Sequence, residues 1–170
     1  ASLDGLENML KKYHGINKES YFVIKNSDEK QKFILASCCT PIKGDSVVGF
    51  KASDGTITVH KRTCSNANSL AAKFGDHIVA VKWAEEENSQ NNYLARVDLK
   101  GTDRIGMIND ITRLTSKVMG VNIRRFNIGT EDGIFEGFID LYVHDIADLE
   151  TLIHKLQKIK GIESVAKTDL

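Results

Sequence analysis

Apolar positions recur along this chain in two rhythms, and the changes of rhythm mark its elements. Leu3, Leu6, Met9 and Leu10 stand at helical spacing and the pattern stops at Gly15, which predicts a short amphipathic helix. Two β-prone runs follow, 21–24 and 32–36, separated by polar residues 26–30, and they predict a hairpin. Runs 47–50 and 56–59 flank Ser53-Asp54-Gly55, and Asp-Gly between apolar strands is a strong hairpin signal. In the second of these runs Ile57 and Val59 share one face, while Thr58 and His60 share the other. The alternation therefore sends His60 away from the apolar core. Residues 65–74 predict a helix capped by Thr63 or Ser65, with Leu70, Ala71 and Phe74 inward. Residues 77–83 alternate as a closing strand.

Residues 85–92 are polar or charged throughout and predict a linker. After them the rhythms restart. Tyr93, Ala95, Val97 and Leu99 alternate, then Ile108, Ile111, Leu114 and Val118 recur at helical spacing up to Gly120. A strand over 121–128, interrupted at Arg124-Arg125, turns back through 129–133 into Phe135, Gly137, Ile139, Leu141 and Val143. A second helix carries Leu149, Leu152, Ile153, Leu156 and Ile159, ends at Gly161, and is followed by a short strand over 162–167. The order is βαββαβ, the ferredoxin-like arrangement. The expected fold is α+β in two small domains. Residues 1–32 form an N-terminal helix and connecting segment, 33–84 a β/α domain, 85–92 a linker and 93–170 the ferredoxin-like domain.

Composition narrows the function classes. Of 170 residues, 41% are hydrophobic and 27% charged, which is the profile of a folded domain and not of a disordered tail. The formal net charge is zero, so no bulk charge marks a nucleic-acid binder. The excess is local: residues 33–84 carry six Lys/Arg against three Asp/Glu. No apolar run approaches the roughly eighteen residues of a membrane span. No P-loop and no clustered His-Asp metal site of a hydrolase is present, so the chain reads as non-enzymatic. It begins at Ala1 and reads as a piece of a longer, cytoplasmic protein.

All three cysteines lie in one stretch. Cys38-Cys39-Thr40-Pro41-Ile42-Lys43-Gly44-Asp45 is followed by Val59-His60-Lys61-Arg62-Thr63-Cys64. Thiolates and imidazole are preferred ligands of Zn²⁺, and Cys38, Cys39, His60 and Cys64 make the four that a closed structural site needs. Adjacent strand residues point to opposite faces, so Cys38 and Cys39 share a metal only where the backbone turns. Pro41 and Gly44 supply turn chemistry just beyond. Three other readings stay open at this point: small buried hydrophobes, a disulfide from Cys64 to Cys38 or Cys39, and redox thiols.

The same stretch resembles the zinc-finger domain, also called the ribosome-intersubunit domain, of RelA/SpoT-type stringent-response enzymes. The carrying residues are Cys38-Cys39-Thr-Pro-Ile-Lys-Gly-Asp45, Val48-Gly49-Phe50, and Val59-His60-Lys61 with Cys64. Lys43 stands where the family has a second proline, and Lys61 where it has arginine. Downstream, Gly101-Thr-Asp-Arg-Ile-Gly-Met-Ile108 resembles the signature of ACT domains, small regulatory modules. Together these resemblances cover about 33–168. They imply the C-terminal regulatory region of a (p)ppGpp synthetase/hydrolase (a GTP pyrophosphokinase) acting in the stringent response. They further imply zinc on Cys38, Cys39, His60 and Cys64, and docking on 23S rRNA of a ribosome with uncharged tRNA in the A site. Control of upstream catalytic domains and a homodimer formed through the ACT domain are implied too. Expected RNA contacts are Lys43, Lys51, Lys61, Arg62, Arg124 and Arg125. The alternative is an amino-acid-sensing module, with the effector held at the loop of Asp103, Arg104, Ile105, Gly106 and Met107.

Overall fold

The computed structural model describes residues 21–25, 30–85 and 91–168. The helix expected over 1–15, the turn residues 26–29 and most of the linker lie outside them. The chain divides into two compact units, 1–89 and 90–170.

In the first unit, β2 (Phe33–Leu35), β4 (Ile57–Lys61), β3 (Val47–Lys51) and β5 (Ile78–Val79) form one sheet in that order. The β3–β4 hairpin forms on Asp54-Gly55 as expected, with Val48 opposite His60 and Lys51 opposite Ile57. The expected hairpin of 21–24 with 32–36 does not form. Instead β1 (Phe22–Ile24) pairs in parallel with β6 (Val81–Trp83), and β2 pairs in parallel with β4. Burial explains the choice. Long-range pairing places Ile24 in a cluster with Val47, Ile57, Val59, Val79 and Val81, where a local hairpin would have left it outside. Gly49 makes room for that cluster, since a Cβ there would stand 2.8 Å from the side chains of Ile57, Val79 and Val81.

The other face of this sheet is buried as well. Helix α1 (Ser65–Lys73) packs Ala67 and Ala71 onto Val48, Phe50 and Ile78. Ala67 and Ala71 are four apart and small, so they share one helix face and let it approach the sheet closely. Three expectations are corrected here. The N-cap is Cys64 itself, not Thr63 or Ser65. Phe74 lies at the C-cap, half exposed, because the helix ends before it. The closing strand is broken: a 3₁₀ turn (Gly75–His77) leads to β5, and β6 leaves for the second sheet after Ala80.

The second unit has the ferredoxin-like order. β7 (Tyr93–Thr102), α2 (Met107–Thr112), β8 (Asn122–Glu131), β9 (Ile134–Val143), α3 (Ile146–Gln157) and β10 (Ile162–Thr168) build an antiparallel sheet ordered β10-β7-β9-β8. The break read at Arg124-Arg125 is a bulge between Ile123 and Arg125. Asp145 caps α3 by accepting from the Asp148 N–H at 2.8 Å, and Leu149, Leu152 and Leu156 are fully buried. On α2 Ile111 is buried as expected, and the inner face is corrected on either side of it. Met107, Ile111 and Thr115 are buried, while Ile108 and Val118 are more than half exposed. Met107 and Thr115 stand four residues either side of Ile111 and so share its face, and a π-wound turn over Arg113–Val118 carries Val118 outward. On the face away from the helices, Arg96 grips Asp140 with two hydrogen bonds (2.7 and 2.9 Å) and lies 3.8 Å over the Phe138 ring.

Candidate metal centre

Parallel strands end at the same edge of a sheet, and the first unit uses this. Because β2 and β4 run together, with Leu35 opposite Val59, residues just after each emerge side by side. Cys38 and Cys39 follow β2, and His60 stands near the end of β4, four residues before Cys64. The condition set by the adjacent cysteines is met locally. Residues 37–39 form a single helical turn in which the Thr40 N–H reaches Ala36 O at 2.9 Å, and Thr40 closes it at φ 44°. Beyond it, Gly44 takes φ 99°, and Asp45 latches the loop by accepting from the Ile42 N–H at 2.8 Å.

The four candidate ligand atoms all lie within 4.8 Å of one another. Cys38 Sγ is 3.5 Å from His60 Nδ1 and 3.6 Å from Cys64 Sγ, and Cys39 Sγ is 3.9 Å from His60 Nδ1. A tetrahedral ion with bonds of about 2.3 Å to sulfur and about 2.05 Å to nitrogen separates its ligands by about 3.8 Å (S to S) and about 3.6 Å (S to N). These three distances match a zinc site to within a few tenths of an ångström, and the full set, spread over up to 4.8 Å, needs a contraction of about 1 Å to close on an ion. A disulfide needs sulfurs about 2.05 Å apart, and all three cysteines are free. Such an ion would tie β2, β4 and the start of α1 together.

The surroundings prepare these groups. Burial holds the His60 imidazole below its ordinary value of 6.5, keeping it neutral and able to donate its lone pair. Phe50 meets its ring edge-on, with centroids 5.6 Å apart, and so helps to set its orientation. Sequence reasoning quoted Phe50 for the resemblance but gave it no role at the site, although its place two residues beyond His60's partner on β3 is a readable signal. Burial pushes the Cys39 thiol up to about 12, despite the Lys61 N–H aimed at its sulfur from 3.3 Å. That makes Cys39 a poor free nucleophile and argues against the redox reading. Burial also raises Cys64, but the Ala67 N–H, the other two thiols and the Asn66 N–H outweigh it and lower the result.

The residues expected to contact RNA do not all gather here. Val47 pairs with Lys61 at the metal end of the β3–β4 hairpin, whereas Lys51 pairs with Ile57 at the other. Lys43, Lys61 and Arg62 thus flank the ligands within their own turns, and Arg62 also donates to Val47 O at 3.1 Å. Lys51 sits apart, with its ammonium 5.2 Å over the Phe22 ring. Arg124 and Arg125 are exposed on β8 in the second unit.

The expected effector loop is built mainly by Arg104. Its guanidinium reaches Lys160 O (2.7 Å), Ile105 O (3.1 Å) and Asp110 Oδ2 (2.6 Å). Gly106 is the N-cap of α2 at φ 84°, a conformation that favours glycine. Met107 points into the core, Asp103 is exposed with its N–H on Gly133 O, and Ile105 is fully exposed.

Comparisons with known proteins follow the same division. The RelA/SpoT RIS domain profile matches residues 22–84, and an ACT domain profile matches 89–166. A GTP pyrophosphokinase of Streptomyces antibioticus is 29% identical over 150 residues, which are 88% of this chain and 17% of that protein. The bifunctional (p)ppGpp synthase/hydrolase RelA of Mycobacterium tuberculosis is 30% identical over 131 residues, 77% of this chain and 17% of that protein. The chain thus spans about a sixth of the length of these relatives. The crystal structure of the ACT domain from the GTP pyrophosphokinase of Chlorobium tepidum aligns at 35% identity and a TM-score of 0.43, covering 46% of this chain and all of that one. No helix among the described residues is long and apolar enough to cross a membrane.

Zinc uptake must displace the thiol protons, while the depressed His60 contributes none. Titration at pH 7.5 in buffers of different ionisation enthalpy is expected to show about two to three protons released per zinc, with affinity falling as pH falls. Uptake without proton release would contradict thiolate ligation.

Proposed function

The chain belongs to the RelA/SpoT family as its RIS–ACT regulatory region, and from that membership we propose that it docks and controls a bifunctional guanosine tetra/pentaphosphate synthetase/hydrolase. In this reading zinc on Cys38, Cys39, His60 and Cys64 rigidifies the turns that carry Lys43, Lys61 and Arg62. Those turns then meet 23S rRNA when uncharged tRNA occupies the A site, in the cytoplasm. One observation carries the proposal: four zinc-type donors within 4.8 Å share their loops with three cations. A rigid cationic loop suits phosphate contact, because it loses little conformational entropy on binding. Arg124 and Arg125 offer a second contact from the ACT unit. Lys51 is the weakest candidate, since its ammonium lies over Phe22. Residues 85–92 serve as the linker between 33–84 and 93–170.

The test is ribosome binding followed by pelleting or light scattering. The variants are Lys61→Glu with Arg62→Glu, and separately Cys64→Ala. Removing two phosphate contacts should weaken binding at least tenfold and lower the salt slope by about two. Cys64→Ala should abolish binding. Unchanged binding by both variants would contradict the docking role.

A second reading is favoured by Ile105 and Ile108, two exposed apolar side chains three residues apart at the start of α2 that a partner surface would cover. A second copy bound through the ACT unit, with an amino-acid effector at 103–107, would supply it. Sedimentation should show a dimer whose affinity rises with effector and falls on Ile105→Asp. A monomer at all concentrations, with no heat of amino-acid binding, would exclude this reading.

A further inference from the structure

The second unit also carries a cationic hollow that the docking role leaves unused. Between the π-wound end of α2 and the C-terminal end of α3 lies a cleft of about 320 Å³. Arg104, Arg113, Lys155, Lys158 and Lys160 line it, against the single acid Asp110. Asp110 is already engaged by Arg104 at 2.6 Å. The side chains of Arg113, Lys155, Lys158 and Lys160 make no ion pair among the described residues. Asp110 offsets one of the five cations, and the end of α3 adds only about half a negative charge, too little to offset the other four.

Size makes this concentration of charge effective. A hollow of this volume, taken as a sphere, is roughly 8.5 Å across, so an ion near its centre lies about 4 Å from the lining, well inside the Debye length of about 8 Å at physiological salt. The rest of the lining is apolar, from Leu114, Val118 and Ile159. Cations around apolar lining fit a ligand with a highly charged part and a flat or apolar part. Arg113 supplies a planar fork for two phosphate oxygens, and the lysines supply point charges. An RNA backbone spreads one charge per phosphate along an extended path, whereas this partly open cleft gathers its cations around one spot.

We propose that this cleft binds an oligophosphate, the chemistry of the phosphate chain of a nucleoside polyphosphate. The site is separate from the metal centre and does not rest on ribosome docking. Its signal was faintly visible in the sequence as Lys155, Lys158 and Lys160 at the end of a helix, but Arg113 joins them only in the fold.

The experiment is calorimetric titration of the chain with inorganic tripolyphosphate, sulfate and a nucleoside triphosphate. One saturable site for tripolyphosphate is expected, weakening with salt, and sulfate should bind much more weakly. Tighter binding of the nucleoside triphosphate would assign the apolar lining to a base, and equal binding would assign recognition to the phosphates alone; both sustain the site. Arg113→Gln and Lys158→Gln should each weaken binding about tenfold, the effect of losing one charge-assisted hydrogen bond. Lys117→Gln, outside the cleft on the same turn, should leave it unchanged, and circular dichroism should show all variants folded. Absence of saturable tripolyphosphate binding would overturn the proposal. So would equal affinity in all variants, or binding of short single-stranded RNA that tripolyphosphate neither matches nor competes with.

Discussion

The parallel pairing of β2 with β4 is the constraint on which the first unit depends. It fixes the chain direction at one sheet edge, so that two segments more than twenty residues apart end side by side. The helical turn at 37–39 then aims two adjacent thiols the same way, and Cys64 opens a helix beside them. These three local choices bring four donors within 4.8 Å. The same atoms close the core, since Cys39 and Cys64 belong to the apolar cluster under α1. A unit this small buries little apolar surface, and a structural zinc typically adds on the order of 10 kcal/mol of apparent binding free energy to a small fold. On the proposed reading, shape and metal affinity are one property here.

The ACT unit is built on a different principle. Long strands, a capped α3 and a continuous apolar layer from Ala95 to Leu156 hold it together. Its opposite sheet face carries the Arg96–Asp140 pair, in which Asp140 is 4% exposed and both oxygens are bonded. A buried carboxylate is tolerable only with such partners. The two units are therefore ordered by different interactions.

Much of this was legible in the residues. Alternation along β4 separated His60 from Ile57 and Val59, and ligand chemistry picked out the cysteines. The ferredoxin-like order followed from periodicity alone. What stayed hidden was pairing over distance. Residues 21–24 and 32–36 look like a hairpin because they are near in sequence, and only the buried cluster around Ile24 shows why each takes a distant partner. His60 was read as leaving the core because one buried face was assumed, whereas α1 buries the second. Phe74 was placed inward by its aromatic ring, but the helix ends one residue too early. On α2 the count of apolar residues favoured Ile108 and Val118, but Met107 and Thr115, four residues either side of Ile111, share its buried face, and the π-wound turn carries Val118 outward.

The central claim is that metal binding holds the first unit together and leaves the second alone. Hydrogen exchange of the full chain, read separately over 30–85 and 91–168 before and after chelation, tests it most directly. The account predicts that protection over 30–85 collapses toward that of an unfolded chain, while 91–168 keeps its protection, and that zinc restores the first. Unchanged protection over 30–85 in metal-free protein would contradict it.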